Sequence, residues 1–135
     1  MQNTRTGRSG FYRNGRALSR GTQRERAVKA LLEDKGWFVV RAPASLGSAD
    51  LLACKRTCFL TYAERKPLAE VLLVQVKSDD QKFGPFNNFG PKDRAELLAD
   101  AEKAGGRATL AYWPPRGKLT WIDPDQWPEN RQEAA

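Results

Sequence analysis

The segment Val-Leu-Leu-Val-Gln-Val-Lys, at positions 71–77, is an almost continuous run of apolar residues. A run of this kind is typical of a strand buried on both faces, inside a sheet that helices cover on each side. Alternate residues of a strand project to the same side. Gln75 and Lys77 therefore point together, whereas Val74 and Val76 point the other way. The run predicts a central strand that carries two neighbouring polar side chains.

Patterns on either side of this run predict a mixed α/β fold. Thr22, with Glu25 three residues later, forms a capping box for a helix that ends before Gly36. Pro91 favours the first turn of a second helix, which continues to Lys103. Strands are predicted at residues 37–41, 50–54, 71–77, 108–113 and 118–122. The order α-β-β-β-α-β-β indicates a mixed sheet flanked by two helices.

The positive charge of the chain is concentrated near its beginning. Residues 1–24 contain six arginines and no acid, whereas the remainder has 17 basic and 16 acidic residues. We expect a flexible Arg-rich arm at residues 1–20, a single domain at 21–127 and a tail at 128–135. Arginine groups suit phosphate contacts and give salt-sensitive affinity for nucleic acid; the alternative is a solvated disordered tail. The candidate DNA contacts are Arg5, Arg8, Arg13, Arg16, Arg20 and Arg24.

Lys92 and Arg94, at the start of the second helix, are two further candidates for phosphate contacts, or they are ordinary surface charges. Three phenylalanines precede that helix. They predict a subunit interface, a wedge near the DNA branch, or simple core packing. The three residues are Phe83, Phe86 and Phe89.

Composition excludes several classes of function. The chain contains no histidine and two cysteines, so histidine-based catalysis is excluded and a four-ligand zinc site cannot be completed within one chain. Two cysteines also argue for a reducing compartment, and we expect the cytoplasm. No apolar run approaches the roughly 20 residues that span a bilayer, and the basic first residues lack the apolar segment of a secretory signal. We expect neither a membrane partner nor a small-molecule substrate.

Polar residues on two predicted strands suggest a metal site. Asp50 begins the strand that precedes the apolar run, and Gln75 and Lys77 lie on the run itself. Oxygens from Asp50 and Gln75 could hold a hard cation such as Mg²⁺, and Lys77 could orient a water or stabilise charge on a phosphate. The alternative is a buried strand that carries a lysine at its edge.

The element order and these residues resemble the PD-(D/E)xK nuclease superfamily and, within it, the archaeal-type Holliday junction resolvases. The resemblance covers roughly residues 22–113. Its first segment opens with Arg24-Glu25-Arg26 and continues to Arg41, its second is Ala44-Ser45 followed by 49–53, and its third is 74–77. It implies a restriction-endonuclease-like mixed β-sheet core, α-β-β-β-α-β, flanked by helices.

The resemblance also implies roles for individual residues. By position, the metal site comprises Glu25, Asp50 and Gln75 with the Val76 carbonyl, and Lys77 and Ser45 contribute to activity. Mg²⁺ is the expected cofactor, with Mn²⁺ expected to substitute. The family usually has a third carboxylate where this chain has glutamine, which removes one negative charge and should weaken cation binding.

The implied activity is cleavage of four-way DNA junctions by paired symmetric nicks, carried out by a C₂ homodimer. Such an enzyme would act at the nucleoid, or in the host cytoplasm if it is viral. Two alternatives remain. One is a related repair- or restriction-type nuclease acting on duplex or flap DNA, and the other is a non-catalytic DNA-binding module with a degenerate site.

Overall fold

A computed structural model of the chain describes residues 19–42, 47–56, 69–78 and 84–128. Within this part, five strands form one sheet in the order β1-β2-β3-β4-β5. β3 pairs in parallel with β4, and every other neighbouring pair is antiparallel. The strands are β1 (Phe38–Arg41), β2 (Leu51–Arg56), β3 (Ala69–Ser78), β4 (Arg107–Trp113) and β5 (Thr120–Ile122).

Two α-helices and a short 3₁₀ helix complete the described part of the fold. Helix α1 (Arg20–Asp34) precedes the sheet, and α2 (Pro91–Ala104) forms the crossover between the parallel strands β3 and β4. The 3₁₀ helix (Pro124–Gln126) follows β5. The predicted mixed α/β architecture and its element order are confirmed. No helix in the described part is long and apolar enough to span a bilayer.

Helix α1 begins earlier than its predicted cap. The Ser19 hydroxyl accepts a hydrogen bond from the Thr22 backbone N–H at 3.1 Å, which pairs one of the free donors of the first turn. The helix therefore starts at Arg20, inside the segment predicted as an arm, and the prediction of a cap at Thr22 is wrong. Its end agrees with prediction, because Gly36 follows the last turn with φ of 95°.

Strand β3 is buried on both faces, as its apolar run predicts. On one face, Leu72, Val74 and Val76 pack with α1 and with residues of β1, β2 and β4. On the other face, Leu73 packs with Leu97 of α2. The outer wall of this second cluster contains three aromatic side chains, Phe89, Tyr112 and Trp127.

The described phenylalanines just before α2 belong to the core. Phe89 meets the Trp127 ring edge to face at 5.2 Å between centroids, and the Trp127 indole N–H donates to the Ile122 carbonyl at 3.0 Å. Both side chains are buried, and Phe86 packs against the core cluster that contains them. The core alternative therefore accounts for Phe89, while Phe83 lies outside the described residues.

Strand β4 starts with a backbone contact that leaves no room for a side chain. A Cβ placed on Gly106 would lie 2.7 Å from the Val71 Cβ and closer still to the Val71 carbonyl oxygen. Gly105, just before it, ends α2 with φ of 74° and has open space around its Cα. The parallel pairing of β3 with β4 therefore depends on glycine at position 106 for space, and at position 105 only for backbone conformation.

We expect Gly106→Ala to destabilise the protein by about 3 kcal/mol, because an added methyl must displace the β3 backbone. Gly105→Ala should cost about 1 kcal/mol, the usual penalty for alanine in the left-handed region. Urea unfolding followed by circular dichroism measures both. If the two variants lose the same free energy of unfolding, the backbone near Val71 can move to make room for the added methyl group without loss of stability.

Candidate active site

The Asp50 carboxylate is fixed at the point where β2 begins. Its Oδ2 atom accepts a hydrogen bond from the Val76 backbone N–H at 2.8 Å. The Asp50 backbone is held on both sides, since its N–H donates to the Val74 carbonyl and its own carbonyl accepts from Ala42, each at 2.9 Å. The side chain therefore lies in the fork between β1 and β3, and backbone contacts set its position.

Strand register brings the predicted polar residues to this fork. Leu51 pairs with Val74, so Asp50 lies beside the stretch of β3 that begins at Gln75. Strand β3 continues beyond that point to Ser78, paired with β4 alone. Gln75 and Lys77 are half-buried there. The structure thus brings together Asp50, Gln75, the Val76 backbone and Lys77, as the sequence predicts.

The surroundings of Asp50 raise the pKa of its carboxyl above the ordinary value. Burial is the main cause, and the negative charge of Glu25 adds to it. The Val76 N–H and the positive charges of Lys77 and Arg41 oppose the rise. Because the charges of Glu25, Lys77 and Arg41 all act on the pKa of the Asp50 carboxyl, these four side chains form one electrostatic cluster. A cation bound there would relieve the cost of keeping Asp50 ionised.

Glu25 reaches the cluster from α1 and forms an ion pair with Arg41. The Arg41 Nε donates to Glu25 Oε1 at 2.8 Å, and its Nη2 donates to Thr22 Oγ1 at 3.3 Å. Both charged side chains are largely shielded from solvent. Glu25 is therefore a paired residue of the site, and the capping-box role considered for it is not observed.

Arg41 is the site residue that the sequence analysis did not single out. It is the last residue of β1, one strand away from Asp50. The sequence around Arg41 does not indicate a role in the site, because its ion-pair partner Glu25 lies 16 residues earlier, on a helix. Only the packing of α1 on the sheet brings the two together.

The loop that leads to Asp50 is attached to α2. The Ser48 hydroxyl donates to Asp100 Oδ2 at 2.6 Å. This contact ties the residues just before Asp50 to the opposite layer of the fold. The predicted catalytic Ser45 lies outside the described residues.

The predicted DNA contacts fall into three groups. Arg20 and Arg24 lie one turn apart on α1, and Lys92 is exposed in the first turn of α2. Arg94 is only 6% exposed, its guanidinium donates to the Phe89 carbonyl, and it lies 5.3 Å from the centre of the Phe86 ring. This burial favours a role in holding the turn before α2 over contact with DNA. The remaining four lie outside the described residues: Arg5, Arg8, Arg13 and Arg16.

The donors at the fork suit a hard cation but carry little charge. Asp50 and Glu25 supply carboxylate oxygens, Gln75 an amide oxygen and Val76 a backbone carbonyl, all of the type that Mg²⁺ prefers. Among the described residues, no three histidine, cysteine or acidic side chains lie close enough together to hold a metal ion. The donor set therefore suits a hard divalent cation only if neutral oxygens take the place of a third carboxylate.

Asp50→Asn should stabilise the metal-free protein at neutral pH. The raised pKa means that the folded state holds the Asp50 proton more tightly than the unfolded chain, so wild-type stability falls as pH rises through the folded pKa. Asparagine keeps an oxygen to accept the Val76 N–H and removes the buried charge. Urea midpoints measured with a chelator should differ at neutral pH and converge as pH falls toward the ordinary carboxyl pKa. A difference between the two urea midpoints that does not change with pH would contradict the assignment of the stabilisation to the Asp50 charge.

Comparison with known proteins identifies the fold and the family of the chain. Among solved structures, Hjc from the archaeal hyperthermophile Archaeoglobus fulgidus, a Holliday junction resolvase, aligns with a TM-score of 0.56 and 19% identity. The alignment covers 78% of this chain and 73% of that chain, and it shows a shared fold. No curated protein sequence matches the chain. The family profile described as archaeal Holliday junction resolvase (Hjc) matches residues 16–134, and the chain therefore belongs to this family of nucleases.

Proposed function

We propose that this protein is a divalent-metal-dependent endonuclease that resolves four-way DNA junctions by paired symmetric nicks. The observation that carries the proposal is the Asp50 carboxylate, held at 2.8 Å by the Val76 N–H within a cluster that includes Lys77 and Glu25. Membership in the Hjc family supports a branched DNA substrate, and the fold shared with the Archaeoglobus fulgidus protein agrees with this proposal.

Asp50, Glu25, Gln75 and the Val76 carbonyl would hold Mg²⁺, and Mn²⁺ should substitute for it. A bound divalent ion supplies Lewis-acid stabilisation of a phosphate and lowers the pKa of a bound water. The half-buried Asp50 limits access of bulk water to the donors, and its Val76 hydrogen bond keeps the carboxylate oriented. Gln75 keeps a ligating oxygen but adds no charge, so we expect a higher Mg²⁺ requirement than a site with three carboxylates would show.

We expect Lys77 to act on the reacting groups. Its positive charge lowers the pKa of the Asp50 carboxyl, and its side chain is half-buried on the part of β3 that extends past the start of β2. There it would orient the attacking water or stabilise charge on the scissile phosphate. Ser45, carried over from the family, remains a proposed contributor to activity.

Arg41 would position Glu25. The 2.8 Å ion pair fixes one carboxylate oxygen of Glu25 and offsets the repulsion between Glu25 and Asp50. Loss of Arg41 would leave Glu25 without its ion-pair partner and Lys77 as the remaining positive charge beside the two acids, and the donors would then turn away from a common centre. Arg41 is therefore a positioning residue in this proposal.

DNA binding would depend mainly on phosphate contacts and on the shape of the branch. Arg20, Arg24 and Lys92 offer positive charge on the described surface, and the four arginines at positions 5, 8, 13 and 16 would extend it. Such contacts make binding strongly dependent on salt. An enzyme of this kind would act where DNA is replicated and recombined, in the cytoplasm at the nucleoid, or in the host cytoplasm if it is viral.

A C₂ homodimer would supply two sites for two cuts. One face of β1 and β2 offers apolar surface for such an assembly, since Phe38 is 70% exposed and Val40 is 47% exposed. Leu52 pairs with Val40 across the two strands and is exposed on the same face. Exposed apolar groups clustered in this way favour an interface between subunits.

The proposed function is tested by cleavage of a labelled immobile four-way junction and of matched linear duplex, with Mg²⁺ or Mn²⁺. Wild type should make paired symmetric nicks in the junction. Asp50→Asn should cut about a thousandfold more slowly, because it removes several kcal/mol of metal-dependent stabilisation of the transition state. It should bind the junction as tightly as wild type does.

Two other outcomes would contradict this proposal. Equal cutting of duplex and junction would indicate a related nuclease without junction selectivity. Tight junction binding without any cutting would indicate a DNA-binding module with a degenerate site, in which glutamine replaces the third carboxylate at position 75. Gln75→Glu is then the informative variant, because gain of cutting would show that the missing carboxylate is the cause.

For the dimer, Val40→Glu should weaken self-association about a hundredfold, because it would place an unpaired charge in the interface. The matched control is Leu31→Glu on α1, since Leu31 is similarly exposed at 43% but lies on a helix rather than on the β1–β2 face. Sedimentation velocity gives the association constant. Equal effects of the two variants, or a monomeric wild type that makes paired cuts, would contradict the proposed interface.

A further inference from the structure

A depression of about 330 Å³ lies beside the candidate active site. It is lined by Arg20 and Arg24 from α1, Ser78 from the end of β3, and residues 113–116 from the end of β4 and the following turn. Arg24 directly precedes Glu25, and Ser78 directly follows Lys77. The depression therefore borders the same ends of α1 and β3 that supply the candidate metal site, but it shares no residue with that site.

Three arginines line this depression, and none of its described lining residues is acidic. The Arg24 guanidinium lies over the Trp113 ring, 4.8 Å from its centroid. Trp113 also packs against the core cluster of α1 and β3. Because Arg24 lies over the ring and the core packs against the side chain, we do not assign the ring as a stacking platform for a base. Clustered guanidinium groups instead favour an anion with several oxygens, such as a phosphate.

The Trp113 indole supplies a second, independent observation. Its Nε1 atom is buried and has no hydrogen-bond partner among the described residues. A buried donor without a partner costs about 1–3 kcal/mol, whereas the indole of Trp127 is satisfied by a carbonyl. Trp113, which lines the depression, thus carries a donor without a partner among the described residues. A phosphate oxygen held by the arginines could accept from this donor once a movement of the ring uncovers the Nε1 atom.

Arg116 lies in a turn whose backbone conformation is unfavourable for arginine. The Gly117 N–H donates to the Pro114 carbonyl at 3.1 Å, which closes a β-turn with Arg116 at its third position. Arg116 has φ of 59°, a left-handed conformation that favours glycine or asparagine there. Glycine is needed at the next position, since a Cβ on Gly117 would lie 2.6 Å from the Pro114 ring. Arginine at position 116 therefore has no conformational reason to be present.

We propose that Arg20, Arg24 and Arg116, around Trp113, form a phosphate-binding site that holds a backbone phosphate of the DNA substrate next to the strand being cut. The inference rests on the proposed function, because it takes DNA as the ligand. It adds Trp113 and Arg116 to the residues that bind the substrate. It also assigns Arg20 and Arg24 to a defined phosphate-binding site rather than to long-range electrostatic attraction of DNA.

Binding of a labelled four-way junction, measured without metal over a range of salt concentrations, tests the site. Arg116→Gly removes the guanidinium and suits the turn, so this variant should fold at least as well as wild type. We expect affinity to fall about tenfold, the effect of losing one charge-assisted hydrogen bond. The slope of log affinity against log salt should also fall by about one.

The matched control is Lys103→Gln, which removes one exposed positive charge from the last turn of α2. That position precedes β4, whereas the depression lies at the far end of β4, about 20 Å away at the rise of a strand. The control should leave the salt slope unchanged. Equal slopes for wild type and Arg116→Gly would overturn the site. They would leave the proposed function intact, provided that wild type still prefers and cuts the junction.

The Trp113 indole N–H gives a direct readout by nuclear magnetic resonance. Its signal is identified as the one missing in Trp113→Phe, and it should shift when junction DNA is added to wild type but not to Arg116→Gly. In a parallel titration, inorganic phosphate is added at the same concentration of phosphate groups, to test whether a free anion gives the same shift. A smaller shift with inorganic phosphate supports a backbone site, whereas an equal shift would show a general anion site and overturn the assignment to DNA.

Discussion

The hydrogen bond from the Val76 N–H to the Asp50 carboxylate joins the fold to the candidate chemistry. Strand β3 continues beyond the first β2–β3 pair, Leu51 with Val74, so its next backbone donor on that side needs another acceptor. A buried backbone N–H must be paired, and the Asp50 side chain provides the partner. The contact that completes the sheet therefore also holds the reactive carboxylate in place.

Charge balance around Asp50 depends on elements that are distant in the chain. Helix α1 contributes Glu25, β1 contributes Arg41 and β3 contributes Lys77, and the charges of all three act on the Asp50 carboxyl. The Glu25–Arg41 pair also fastens the first turns of α1 to the end of β1. Displacement of α1 would thus change the chemistry of the fork and the walls of the neighbouring arginine-lined depression together.

Sequence patterns were sufficient where local periodicity determines structure. The apolar run of β3, the proline that begins α2 and the glycine after α1 predicted their elements correctly. Prediction failed for the start of α1, because Ser19 and Thr22 are both favourable N-cap residues and lie only three residues apart. It also failed where tertiary contacts decide, because the burial of Arg94 depends on the Phe89 carbonyl and the role of Arg41 depends on how α1 packs. The common orientation of Gln75 and Lys77 was accessible because both lie on β3, two residues apart, whereas their roles and that of Asp50 stay predictions.

The position of the β2–β3 connection has a practical consequence. Arg56, the last residue of β2, pairs with Ala69, the first residue of β3. This paired end of the two strands lies six residues along β2 from Asp50, about 20 Å away at the rise of an extended strand. A fluorescent label on the exposed Arg56 would be anchored to the strand pair at the opposite end from the fork. It would report on the orientation of the protein on a DNA branch without altering the donors that surround Asp50.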